Sequence, residues 1–318
     1  MLHIESVIGF LPGTSISYKC EGGIARQLFN EIPADLETGT YTQFGKELIF
    51  SLEDPSMSRL GEAREIDYSE FQEPYLTKPY ALKTALPMDL TSLTPTNVNR
   101  VQQGITGLTD TLDRWYEKQG AAMCGTFSST AVAKAWTDPT STPLKSDIKP
   151  ARAKLAMAPN VAVIDKLTYD VLVNNPEIVA QRNTAAAGTV TKEELAKILE
   201  VKEVLVPEMK GNLAVKGRAE NLGYIWGTIF MFAYRNPQPE IGPEQITFAA
   251  RISLQEFGLK GAPTEAVVYA ASEKGTLVRA WENPNRGFSG ASMIQVGRKY
   301  ELKKIGPDLA WRLTGMLG

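Results

Sequence analysis

The chain has 318 residues, 43% hydrophobic and 22% charged, which is the composition of a soluble globular protein with enough length for one large or two modest domains. Its formal net charge of −2 excludes the strong overall basicity of a dedicated nucleic-acid binder, and its two cysteines, Cys20 and Cys124, lie too far apart in sequence for a metal-ligand pair or a disulfide framework and suit a reducing compartment. The single histidine, His3, removes the Ser-His-Asp triad, the Cys-His pair and histidine-rich zinc sites from any core.

In chain order, the N-terminal stretch "MLHIESVIGF" has no basic region followed by a long apolar run, so no secretory signal is expected. Residues 1–40 lack sustained periodicity apart from a short helix expected at "IARQLFNEI". They read as an arm that packs on a neighbour or stays unfolded. Between 41 and 80, Phe44, Leu48 and Phe50 fall on one parity, as do Ile66 and Tyr68 further on. Two strand-like arms thus flank the polar tip "EDPSMSRLGEA". A two-stranded ribbon of this length is marginal alone and is expected to lie on something else; the alternative is an ordinary surface hairpin of this domain.

The clearest element is the amphipathic helix of "TPTNVNRVQQGITGLTDTLDRWYEKQG". Val98, Val101, Ile105, Leu108, Leu112 and Trp115 form one stripe at helical spacing. Thr94 caps it, Pro95 suits its first position and Gly120 ends it, which gives a helix roughly 37 Å long. Gly104 and Gly107 inside it each cost about 1 kcal/mol relative to Ala, a cost offset where another backbone approaches closely. A Pro-, Ser- and Thr-rich connection follows (137–150), then a short helix within "DIKPARAKLAM".

Residues 160–182, "NVAVIDKLTYDVLVNNPEIVAQR", read as a buried strand (161–164), a helix (167–173) and a further helical piece. Many nucleotide sites begin this way. A dinucleotide site, however, needs glycines directly after the strand, and "DKLTYD" has none. No GxxxxGK[ST] loop occurs anywhere. The strand and helix are therefore expected to be structural. In "VTKEELAKILEV", Thr191 and Glu194 form a capping box with Leu195, Ile198 and Leu199 on the buried face. "VKEVLVPEM" and "YIWGTIFMFAYRN" read as strands. The latter contains the most apolar run, about 12 residues against the roughly 20 a membrane-spanning helix needs. The alternation predicts a mixed α/β domain over about 155–275. The C-terminal "GASMIQVGRKYELKKIGPDLAWRLTG" reads as two strands and a turn.

No constellation points to catalysis. The acid pairs Glu193–Glu194 and Glu53–Asp54 fall at a helix start and a loop tip, where the helix dipole or water favours them. No catalytic, cofactor-binding or metal-ligating residue is assigned. "EFQEPYLTKPY" mixes aromatics with one lysine but has no basic excess for stacking on single strands. Two local basic clusters occur, Lys145, Lys149, Arg152 and Lys154, and Arg298, Lys299, Lys303 and Lys304. Each is either a solvated face or a surface turned towards packaged nucleic acid.

The order of parts carries the most information. An arm, a long ribbon, a long helix, an α/β domain and a returning C-terminal sheet resemble the major capsid proteins of tailed bacteriophages, the α+β Hong Kong 97 fold, over nearly the whole chain. The phrases "REIDYSEFQEPYLTKPYALKTALP", "APNVAVIDKLTYDVLVNNPEIV", "VTKEELAKILEVKEVLVPE" and "YIWGTIFMFAY" resemble those of the lambda major capsid protein branch in the same order and at similar spacing. The resemblance implies an N-terminal arm (1–40), an extended hairpin loop (41–75), a peripheral domain (76–154) with a spine helix over 94–119, an axial domain (155–279) and a return to the peripheral domain (280–318).

It further implies self-assembly into pentamers and hexamers of an icosahedral shell, assembled in the bacterial host cytoplasm and found in the virion capsid. Packaged double-stranded DNA would be touched non-specifically. Scaffold, portal and possibly decoration proteins are the other implied partners, with no membrane and no cofactor. Some relatives cross-link the ribbon through a lysine; Lys46 lies near the ribbon's base, where that chemistry is not expected. Others carry a scaffolding segment of about a hundred residues at the N-terminus, for which this chain has no room, so a separate scaffold or a processed chain is expected. The alternatives are an encapsulin shell of the same fold and, more remotely, a histidine-poor α/β enzyme with a pocket near residues 160–235.

Overall fold

A computed structural model of the chain describes residues 21–44, 69–87, 97–181, 190–215, 217–237, 246–255, 267–270, 275–288 and 290–318, together with residues 52, 54 and 56. The elements in order are α1 (Ala25–Leu28), β1 (Asn30–Ala34), β2 (Thr38–Phe44), β3 (Glu70–Leu76), β4 (Lys78–Pro87), α2 (Asn97–Cys124), β5 (Ser129–Ala131), a π-helical turn (Leu144–Ile148) running into α3 (Lys149–Arg152), β6 (Val161–Ile164), α4 (Lys166–Val173), α5 (Pro176–Ala180), α6 (Lys192–Ile198), β7 (Glu203–Leu205), β8 (Lys210–Asn212), β9 (Leu222–Tyr224), β10 (Phe230–Ala233), β11 (Ala249–Leu254), β12 (Val267–Ala270), β13 (Thr276–Asn283), β14 (Ala291–Lys304), a 3-10 turn (Pro307–Leu309) and β15 (Ala310–Thr314).

Two sheets organise the molecule. The five-stranded sheet runs β5-β15-β10-β6-β7, with β6 parallel to β7 and antiparallel to β10. Every residue of β6 and β10 is buried. The uninterrupted apolar runs "VAVI" and "FMFA" are explained by this position, since a central strand covered on both faces has no solvent side to alternate towards. Ala162, Ile164, Phe230 and Phe232 point into one core with Trp136, Leu172, Ile178, Leu195 and Leu199. Val161, Val163, Met231 and Ala233 point into a second core with Leu28, Phe29, Tyr116, Cys124 and Phe248. The period-2 geometry of the strand thus divides one short segment between two cores.

The six-stranded sheet runs β1-β11-β14-β13-β12, with β4 also on β14. β14 is its axis: Ala291–Tyr300 pair with β4, Ala291–Arg298 with β13 and Tyr300–Lys304 with β11. The long helix α2 lies on this sheet through Ile105, Leu108 and Leu112, against Tyr80, Val278 and Val296.

Several expectations change. The buried line of α2 leaves the anticipated stripe after Leu112 and continues through Tyr116, Gly120 and Cys124, while Trp115 is 45% exposed with the Lys118 ammonium over its ring. A straight helix drifts relative to a 3-4 repeat, and the second half of α2 meets a different core from the first. The helix also runs past Gly120 to Cys124; its expected cap at Thr94 and Pro95 lies outside the described residues. The segment 224–236, expected as one strand, is not one. Gly227 takes a left-handed φ of +58° and separates β9, which pairs with β8, from β10. Residues 25–34, expected within the arm, are built into this chain's own core, with Ala25 and Leu28 at 0% exposure and β1 parallel to β11.

The two sheets also cut across the expected domain boundaries. β11, expected in the axial domain, joins the six-stranded sheet, while β15, expected to return to the peripheral one, joins the sheet of β6 and β10.

Candidate assembly surfaces

The hairpin of β2 and β3 is antiparallel from Thr38↔Leu76 to Phe44↔Glu70. It is the base of the expected ribbon; Lys46, Leu48, Phe50, Ile66 and Tyr68 lie outside the described residues. Almost every residue of β3 is exposed, including Phe71 and Leu76 at 55% and 50%, and Leu52 further out is fully exposed. Apart from backbone pairing and polar contacts at its base, such a strand buries little apolar surface on its own chain.

Polar contacts to β14 fix the direction in which the hairpin leaves the body. Glu301 accepts from the Leu76 amide at 2.8 Å, and Gln43 Nε2 donates to the Ile305 carbonyl at 2.7 Å. Lys303 donates to the Pro74 carbonyl at 2.6 Å and lies 3.7 Å from Glu73, while Lys299 pairs with Glu37. The carboxylates of Glu73 and Glu301, together with burial, push the Tyr41 phenol up to about 12; burial is the larger cause.

Behind the hairpin, a buried carboxylate joins three distant segments. Glu117 of α2 is 3% exposed. Its Oε1 accepts from the Ala25 amide at 2.8 Å, and its Oε2 from Trp226 Nε1 at 2.6 Å. Burial raises its pKa, opposed by the amides of Ala25 and Ile24 and the Trp226 indole. Asp147 plays a similar part elsewhere, accepting from the Ala133 amide and Trp136 Nε1, both at 2.9 Å. The sequence signal for Glu117 is an acid next to the apolar line Leu112–Tyr116. Its partners, more than ninety residues away on either side, leave no trace in sequence.

In residues 160–182, Asp165 occupies the position after the strand. It caps α4, accepting from Thr168 N at 3.0 Å, and its other oxygen accepts from Ile229 N at 2.8 Å. The amide site where a phosphate would sit already holds a buried carboxylate, which repels anions. Glu194 and Thr191 form the expected capping box. Asp54 accepts from Ser56 N and Oγ in a local turn; Glu53 lies outside the described residues.

The basic clusters separate. Arg298 is 7% exposed and held by Asp113 and Thr276, Lys299 and Lys303 serve the hairpin base, and Lys304 donates to the Thr126 carbonyl. Alternation along β14 disperses this group, so it is no basic surface. In the other cluster, Arg152 pairs with Glu200, and Lys154 lies over the Trp311 ring. Lys145 and Lys149 are exposed. Among the described residues, no cluster of His, Cys, Asp and Glu is placed to hold a metal, and no helix is long and apolar enough to cross a membrane.

No model of a known protein family matches the chain. In sequence it is 24% identical over 311 residues to the "Major capsid protein" of Pseudomonas phage JBD67, covering 95% of this chain and 94% of that protein. In structure it is similar to a phage-related protein from Bordetella bronchiseptica RB50 (TM-score 0.65, 18% identity, 95% of this chain and 94% of that one). It is also similar to the capsid protein of cyanophage P-SCSP1u (TM-score 0.57, 10% identity, 96% and 91%). These likenesses are to phage capsid proteins as a group and single out no branch within them. Over almost its whole length the chain is thus similar in sequence to a phage major capsid protein, and it folds as the phage capsid proteins do, in the Hong Kong 97-type architecture.

Proposed function

We propose that the chain is the shell-forming subunit of a tailed-phage head, closing pentamers and hexamers into an icosahedral capsid around double-stranded DNA. The observation that carries this reading is the β2–β3 hairpin. Its base is fixed to the body by polar contacts, while Phe71, Leu76 and Leu52 stay exposed. Apolar side chains on a marginal two-stranded ribbon find burial on another subunit. The six-stranded sheet with α2 forms the peripheral domain in this reading, and the five-stranded sheet with its covering helices forms the axial domain. A stable interface buries roughly 1,200–2,000 Å², which an outlying ribbon supplies without enlarging the core. A net charge of −2 keeps free subunits from condensing on nucleic acid before assembly. Scaffold and portal proteins are the expected partners, decoration proteins a further one, and the bacterial cytoplasm is the site of assembly.

The test is size-exclusion chromatography and electron microscopy of the expressed chain, alone and with its candidate scaffold. Capsomers or shells elute far ahead of a 34.9 kDa monomer. A compact monomer that forms no particle under either condition overturns the assignment. An encapsulin has the same fold, but the sequence likeness is to a phage protein. Particles holding nuclease-protected DNA support the phage reading, and particles loaded with protein cargo support the other.

A further inference from the structure

A small cleft of about 30 Å³ lies where α1 and β1 meet the rest of the six-stranded sheet, with room for about two waters or one small ion. Among the described residues, four cations line it: Arg26 of α1, Arg251 of β11, and Arg298 and Lys299 of β14. Three carboxylates answer them. Asp113 of α2 accepts from Arg26 Nη2 at 3.0 Å and, through the same Oδ1, from Arg298 Nη1. Glu31 accepts from Arg251, Ser253 and Gln255, and Glu37 accepts from Lys299. One carboxylate oxygen thus serves two guanidinium groups, and one positive charge is left over.

The surplus falls on Arg298, which is 7% exposed. Its Nε donates to Thr276 Oγ1 at 3.2 Å and its Nη1 to Asp113, but its Nη2 is buried with no hydrogen-bond partner among the described residues. A charged donor left unpaired in the interior is costly, so the cleft is short of an acceptor. Tyr116, with the Arg251 guanidinium over its ring, has a hydroxyl that is likewise buried and unpartnered. Thr276 Oγ1 accepts from Arg298, which leaves its own hydrogen to donate. A guanidinium edge beside a hydroxyl suits the several oxygens of an oxyanion better than a single monatomic ion. The phosphodiester of a nucleic acid carries a sugar on either side, which a cleft of this size does not admit.

We propose that this cleft binds one small oxyanion of the phosphate or sulfate class, accepting from Arg298 Nη2 and the Thr276 hydroxyl, with Arg26 and Arg251 around it. The bound anion joins α1, β11, β13 and β14, segments far apart in sequence, and so completes the junction between the N-terminal segment and the sheet. It does not depend on the shell reading, since every group that holds it belongs to one chain.

Isothermal titration calorimetry of inorganic phosphate into the full chain, in gluconate buffer at fixed ionic strength, tests it. One saturable site per chain is expected, with a saturable rise in melting temperature over the same phosphate range. R298K keeps the charge and loses the planar fork, and T276V keeps the shape and loses the hydroxyl; each should weaken binding about tenfold or more. E31Q removes the carboxylate that lines the cleft and should tighten binding about threefold or more, a gain that a purely structural role would not give. Absence of phosphate binding, or binding indifferent to both R298K and T276V, overturns the site; where R298K does not fold, T276V and E31Q decide it. Chloride displacing phosphate at equal concentration overturns the oxyanion class. Displacement by a short DNA duplex overturns the free anion and turns the cleft towards packaged nucleic acid.

Discussion

Glu117, which is buried, and Glu31, which is half-buried, show two carboxylate designs with opposite pH signatures. Glu117 holds α1 and Trp226 to the long helix. Deleting its carboxylate in E117A strands the donors of Ala25 and Trp226 in the core. At roughly 1–3 kcal/mol per unsatisfied buried group, the expected cost is about 3–5 kcal/mol by denaturant unfolding. Burial raises the folded pKa of Glu117 above its ordinary 4.5. Its contribution is therefore complete below pH 4.5 and declines as pH rises through the folded value. In Glu31, burial pushes upwards, but Arg251, Ser253 and Gln255 together outweigh it and lower the pKa. Its contribution is present above pH 4.5 and is lost as pH falls through the lowered value. Melting temperatures from pH 3 to 7 should show E31Q flattening the acid limb, and E117Q removing a decline on the other side of 4.5. The reverse assignment of slopes overturns the pairing.

At the scale of elements, α2 shows how far periodicity reaches. The spacing Ile105, Leu108, Leu112 identifies a helix and its buried side, and both are present. It does not foresee that the helix passes from the six-stranded sheet to a core built from α1 and Phe248, where Tyr116 and Cys124 are the buried residues. Leu112→Ala should accordingly cost about 2–4 kcal/mol, as for a core leucine. Trp115→Ala, on the exposed side, should cost well under half of that, despite the larger side chain. Equal losses in chemical denaturation would restore the straight stripe. The capping box at Thr191, the buried strand β6 and the C-terminal strand pair with its turn were legible for a related reason: each is set by residues within a few positions of one another. The split of residues 224–236 at Gly227 was not, because apolar residues lie on both sides of the turn.

For the whole molecule, the hairpin separates folding from assembly. Phe44 faces Glu70 in register, so replacing residues 45–69 with Asn-Gly closes β2 onto β3 by a two-residue turn. The shortened chain is expected to unfold cooperatively near the parent melting temperature and to remain a small oligomer or monomer in electron micrographs. Normal shells from it would remove the ribbon from assembly; loss of folding would make the ribbon part of the core instead.

Local chemistry in the sequence shows one histidine, His3, and no glycine-rich phosphate loop after the strand 161–164, and it marks the hairpin base, a long amphipathic helix and a strand buried on both faces. The order of those parts pointed to a capsid fold. Only the tertiary structure decided that residues 25–34 belong to the core and that β11 and β15 exchange sheets. It alone showed that the basic run 298–304 is consumed in internal pairs while Lys145 and Lys149 are left outward. The physical reason is range. Caps, turns and periodic faces are fixed by neighbours along the chain, whereas a sheet partner or a counter-ion is fixed by whatever the folded chain brings alongside, here often more than a hundred residues away.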